Sequence, residues 1–190
     1  MVKPLEGWDE AFTARLDRWV ADARIGEAVL QRARERWLRE VVEQEATLVG
    51  VLIDLAERRT PVSVQTRDGA SHHGLIRVVG ADFIGLELRS HADVLVALGA
   101  IALVRTAPTI DATVGDRMIG TDLRLADVLA ELAADRAHVA LTVAHHTHAA
   151  HTVVGQLRSV GHDVATVHPD AEQRSNVYVA LAAVTEVLID

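Results

Sequence analysis

Residues 50–64 read GVLIDLAERRTPVSV, and residues 127–141 read DVLAELAADRAHVAL. At an offset of 77, Val51, Leu52, Leu55, Ala56, Arg59 and Val62 coincide with Val128, Leu129, Leu132, Ala133, Arg136 and Val139, and Asp54 becomes Glu131. Further on, Gly74, Arg77, Val79, Gly80 and Asp82 coincide with Gly155, Arg158, Val160, Gly161 and Asp163 at an offset of 81. Finally, VLVALGAIALV (residues 94–104) matches VYVALAAVTEV (residues 177–187) at an offset of 83. The offset grows in the first hairpin and again before the fourth strand, where loops belong and insertions cost little. Chance likeness between two Ala/Val-rich stretches does not place its gaps so selectively. The chain therefore holds two divergent copies of one small repeat.

Within the first copy, GVLIDLAERR reads as a short amphipathic helix that Thr60-Pro61 ends, because proline lacks the N–H and disfavours helix before it. PVSVQT alternates like a strand, and Asp68-Gly69 is a strong hairpin signal. HHGLIRVVG, DFIGLEL, DVLVAL and AIALVRT follow as four more short strands. One helix followed by five strands is thus expected twice. Upstream, residues 8–45 read as helix, with Trp8, Phe12, Leu16, Trp19, Ala23, Leu30, Ala33, Trp37 and Val41 at helical spacing. Gly26 divides it. Trp8, Trp19 and Trp37 share one face, which packs on the rest of the chain or pairs with a protein partner. The expected organisation is a helical segment over 1–46, a first β-rich unit over 47–106, a connection over 107–126 and a second unit over 127–190.

Composition bounds what this architecture does. Of 190 residues, 49 % are apolar and 3 % aromatic, enough for an Ala/Val/Leu core. There is no cysteine, which excludes disulfides and thiolate metal sites. MVKPLEGWDEAF does not resemble a signal peptide, and no apolar run of ~18 residues is present, so a cytoplasmic location is expected with no membrane partner. The net charge is −8. Residues 51–106 carry six Lys/Arg against six Asp/Glu, whereas residues 107–190 carry five against eleven. Because nucleic-acid affinity comes largely from neutralising phosphate, the second copy is the poorer candidate.

Helix, then V-x-V-x-T-x-D-G, then G-x-I-x-x-V-G-x-D-F, then VLVALGAIALV, resembles the Sm-like fold. That resemblance implies an α+β, mainly β chain with two Sm-like five-stranded open barrels, each preceded by a short helix. Gly74 and Gly80 sit where such a barrel bends or is closely approached. It also implies self-association through barrel edges, since open edges invite pairing. With WDEAF and a charged helix ahead of both repeats, the whole chain resembles actinobacterial proteins often labelled Fis-family transcriptional regulators. Bacterial Sm-like RNA chaperones carry a Tyr-Lys-His-Ala-Ile motif that helps bind uridine-rich RNA. Aligned on Ala100-Ile101, this chain has Ala97, Leu98 and Gly99 there, and Ala180, Leu181 and Ala182 in the second copy. Neither copy keeps a stacking ring or a cation at those positions.

Candidate chemistry is sparse. His145, His148 and His151 have a spacing that converges on one metal ion, but they fall in the longer first hairpin of the second copy, read as a polar surface loop. His72-His73, in the matching hairpin, reads the same way. Asp82 and Asp163 read as turn hydrogen-bonders. No P-loop, G-x-G-x-x-G or H-E-x-x-H occurs. The expectation is a non-enzymatic interaction or regulatory module without cofactor. The alternative is a nucleic-acid-binding regulator that uses Arg67, Arg77, Arg89 and Arg105 of the neutral first copy.

Overall fold

A computed structural model describes Trp37 and residues 46–90, 92–107, 121–144, 150–170 and 175–189. The chain divides into a segment Met1–Glu45 and a compact body Ala46–Asp190, and the body is described below. Its described residues are mainly β, with two helices. Helix α1 (Leu48–Glu57) is followed by β1 (Pro61–Thr66), β2 (Ser71–Val79), β3 (Phe83–Leu88), β4 (Asp93–Ala97) and β5 (Ile101–Thr106). Helix α2 (Leu125–Ala134) is followed by β6 (His138–Val143), β7 (His151–Val160), β8 (Val164–Pro169), β9 (Val177–Ala180) and β10 (Val184–Ile189). The ten strands form one antiparallel sheet in the order β5-β1-β2-β3-β4-β10-β6-β7-β8-β9.

The strand registers carry the repeat. Val62 pairs with Gly74, and their counterparts Val139 and Gly155 pair likewise. Leu86 lies opposite Val94 as Val167 lies opposite Val177, and Val64 opposite Val104 as Leu141 opposite Val187. These pairs reproduce all three offsets. The irregularities repeat too: β2 shifts register between Ile76 and Val78, and β7 shifts between Leu157 and Ser159. Single 3₁₀ turns at Leu98–Ala100 and Leu181–Ala183 link the last two strands of each copy.

Each helix ends the same way. Arg59 (φ 51°) and Arg136 (φ 53°) adopt the left-handed conformation usually given to glycine. Thr60 and Ala137 then donate back to Leu55 and Leu132, 3.0 and 2.9 Å away, closing the last turn. At its start, α1 is capped by the Thr47 hydroxyl, which accepts from the Gly50 N–H at 3.0 Å. Helix α2 is capped differently. The Asp127 carboxylate accepts from the Arg124 N–H at 3.0 Å, and the Asp82 carboxylate, from the other copy, accepts from the Leu125 N–H at 2.7 Å. Both negative charges lie at the positive end of the helix dipole.

Two cores follow. The first gathers Leu52, Leu55, Val62, Val64, Ile76, Ile84, Leu86, Val94 and Val96 within the first copy. The second gathers Leu125, Leu129, Val139, Leu141, Leu157, Val167 and Val187 of the second copy, and draws in Phe83 and Leu95 from the first. The two copies thus share apolar burial as well as a strand pairing.

Candidate functional site

The join between the copies is made by β4 and β10, with Val96 opposite Glu186, Leu95 opposite Val187 and Val94 opposite Leu188. Around this seam Phe83 is fully buried, and Leu95 and Leu125 are each 6 % exposed. Polar groups close its ends. Asp82, expected to serve its own turn, reaches across to cap α2; the Ala81 N–H donates to the Leu123 carbonyl at 2.8 Å, and the Thr121 N–H to the Val79 carbonyl at 3.0 Å. On the other flank the Thr185 hydroxyl donates to Asp68 at 3.2 Å, and His72 Nε2 lies 2.6 Å from Glu186 Oε2. His72 and His73 are therefore not loop residues: both belong to β2, and the His72 side chain is largely enclosed. The cross-copy partner that decides this lies on β10, distant in sequence and invisible to local pattern.

Burial works to raise the pKa of the Asp68 carboxyl, but the hydrogen bonds it accepts from Thr66, Ala70 and Thr185 outweigh that and hold it below the ordinary carboxylate value. A carboxyl depressed in the folded state stabilises above its unfolded pKa, and loses that contribution as pH falls through its folded value. Asp68→Asn is therefore expected to lower the urea midpoint near neutrality. The gap to the unaltered chain should close as pH drops below about 4. A gap that stays constant with pH would remove the carboxylate from the seam's stability.

The β4–β10 pairing leaves β5 and β9 as the outer strands. They are the counterparts of β10 and β4, and among the described residues each pairs on one side only. Their surroundings are exposed where the seam is covered. Tyr178, counterpart of Leu95, is 70 % exposed, and Leu48, counterpart of Leu125, is 45 % exposed. Asp163, counterpart of Asp82, is exposed as well.

Within a single chain the four arginines of the nucleic-acid alternative take up different positions. Arg67 lies in the β1–β2 turn, where its backbone N–H donates to Ala100. Arg77 is ion-paired with Glu87 at 2.5 Å. Only Arg89 and Arg105 come together, at a cleft of about 500 Å³ between the start of β1 and the ends of β3 and β5.

Of the histidines proposed as metal ligands, His145 and His148 lie outside the described residues, and His151 is the exposed first residue of β7. Among the described residues, no group of three or more His, Asp or Glu is placed to hold a metal. Trp8 and Trp19 also lie outside the described residues; Trp37 is helical and 60 % exposed. No helix among the described residues is long and apolar enough to cross a membrane. Compared with protein-family models the chain matches none, and compared with curated proteins it again matches none.

Proposed function

We propose that the chain is a non-enzymatic interaction module of two Sm-like open barrels, which assembles head to tail with further molecules of itself. Strand order supports the barrel reading. In β5-β1-β2-β3-β4 the two outer strands are joined by only the three residues Leu98–Ala100, a short link that suits a strip curled into an open barrel. The second copy repeats this with Leu181–Ala183.

One observation carries the assembly reading: the sheet already contains one β4–β10 seam and has as its outer strands β5 and β9, the two that would make another. Unpaired edge strands with free N–H and C=O groups are templates for a further strand. Transferring the seam's register by the repeat offsets sets Leu103 opposite Val179, Val104 opposite Tyr178 and Arg105 opposite Val177 of the next molecule. Tyr178 and Leu48 would then be covered as Leu95 and Leu125 are. Asp163 would meet the start of the next molecule's α1, as Asp82 meets α2. The interface is heterologous, so successive molecules close a ring or extend a filament.

Two measurements test this. Light scattering should give a discrete species of at least twice the 20.6 kDa chain mass. The chain has no cysteine, so engineered thiols report without background. Mixing Val104→Cys with Tyr178→Cys under mild oxidation should yield a covalent dimer, because directly opposed antiparallel positions approach within disulfide reach. A strict monomer at high concentration, with no mixed disulfide, would sink the assembly.

A further inference from the structure

The cleft at the far end of β1 from the Arg67 turn gathers two arginines, a histidine and an apolar wall. Its polar rim is built across strands. Ser63 lies opposite His73 on β2 and opposite Arg105 on β5, which sets His73, Ser63 and Arg105 in one row on one face of the sheet. Pro61 lies opposite Leu75, and Leu75 opposite Glu87, forming the neighbouring row. Arg89 closes the cleft just beyond β3, and Leu88 completes its apolar wall. Glu87, in that neighbouring row, is ion-paired with Arg77 at 2.5 Å. Among the described residues neither Arg89 nor Arg105 has an acidic partner.

The second copy serves as an internal control. It keeps the framework: Gly155 stands for Gly74 and Val139 for Val62, in the same register. The lining is replaced. Asp170 stands for Arg89, Leu188 for Arg105 and Val154 for His73, and Asp170 is paired with His138 at 2.8 Å. In a chain of net charge −8, two guanidiniums over an apolar wall with no acidic partner among the described residues are a local exception.

We propose that this cleft binds a nucleoside monophosphate, free or as one nucleotide of a single strand, with the phosphate on Arg89 and Arg105. Guanidinium remains charged at every physiological pH and matches phosphate geometry with paired donors. The base lies against Pro61, Leu75 and Leu88, and the exposed His73 ring offers a stacking surface at the rim. A volume near 500 Å³ falls within the range of small-molecule sites. Edge pairing of β5 uses its backbone and leaves the side chains on the sheet faces, so the site does not depend on assembly.

The test uses the full chain. AMP, UMP and inorganic phosphate are titrated by calorimetry, and a labelled single-stranded oligonucleotide by fluorescence anisotropy, at physiological salt. A Kd of roughly 10⁻⁴–10⁻⁶ M is expected for the nucleotide or the strand. The double variant Arg89→Ala/Arg105→Ala should weaken it at least ~10-fold. The control Arg158→Ala, on the second copy's exposed surface, should leave it unchanged. Binding of the free nucleotide identifies a small-molecule ligand; binding of the strand alone identifies nucleic acid. Inorganic phosphate binding as tightly as the nucleotide, an affinity indifferent to the double variant, or no binding below about 1 mM would each overturn the proposal. A monomer that still binds nucleotide would sink the assembly and leave this cleft standing.

Discussion

Gly74→Ala is expected to cost about 3 kcal/mol of stability, the upper end of what an overpacked core methyl usually costs. A Cβ at this position would lie 2.1 Å from the Glu87 carbonyl oxygen and 2.9 Å from its carbon. Those are backbone atoms of β3, fixed by pairing with β2 on one side and β4 on the other, so no side-chain rotation relieves the clash. Gly155 meets the His168 carbonyl oxygen at 2.2 Å, so Gly155→Ala is expected to behave alike. Gly99→Ala is the control. Nothing lies within 4 Å of its Cβ, its φ is not positive, and the second copy already has Ala182 there. It should be neutral or stabilise by about 0.5 kcal/mol through the unfolded chain. Urea unfolding midpoints decide the matter. Equal midpoints for Gly74→Ala and Gly99→Ala would mean that β3 is free to move away from β2.

These glycines also show how far the amino-acid order carries the fold. The offsets of 77, 81 and 83 are readable as identities, and the strand registers reproduce them, because insertions settle in turns while paired positions keep their spacing. PVSVQT is the strand Pro61–Thr66 and AIALVRT contains Ile101–Thr106, since alternation and β-branching report a half-buried surface. The seam is different. A β4–β10 pairing is made by backbone N–H and C=O groups that every residue except proline possesses, so no side-chain type announces it. Its side-chain partners are remote in sequence: Asp82 with the Leu125 N–H, His72 with Glu186, Asp68 with Thr185. From the sequence, His72 begins a strand but its side chain reads as exposed polar surface, and Asp82 reads as a turn former, because local pattern offers neither a remote partner.

The same blindness applies to the cleft. Arg67, Arg77, Arg89 and Arg105 are equivalent as charges, and only register separates them. Arg77 falls beside Glu87, Arg67 falls in a turn, and Arg105 is carried beside Ser63 by a pairing between the first and last strands of the copy. A signal was nonetheless present in the repeat. Aligned copies differ at Arg89/Asp170 and Arg105/Leu188, while the flanking Gly74/Gly155 and Val62/Val139 stay the same. Loss of both arginines on a retained frame marks a surface where one copy carries a chemistry the other lacks.

Phe83→Ala is expected to cost about 3–5 kcal/mol, the usual range for emptying a fully buried phenylalanine. The Phe83 side chain is fully buried, and it belongs to a core otherwise built mainly from the second copy, with Leu125 and Leu129 of α2. The cavity therefore opens at the join, where the two copies bury apolar surface together. Two consequences separate this site from an ordinary core position. The loss should fall on the coupling, so a single thermal transition should split into two, followed by calorimetry and far-UV circular dichroism. In addition, Val164→Ala, at the matching position of the second copy, should cost only about 1 kcal/mol, because that side chain is partly exposed and fewer buried methyls are lost. Covering by a neighbouring molecule would raise that cost with protein concentration, since association stabilises only the folded form. If Phe83→Ala and Val164→Ala lower stability equally and both leave one transition, the seam is not a shared core, and the two copies are held together by the β4–β10 backbone pairing alone.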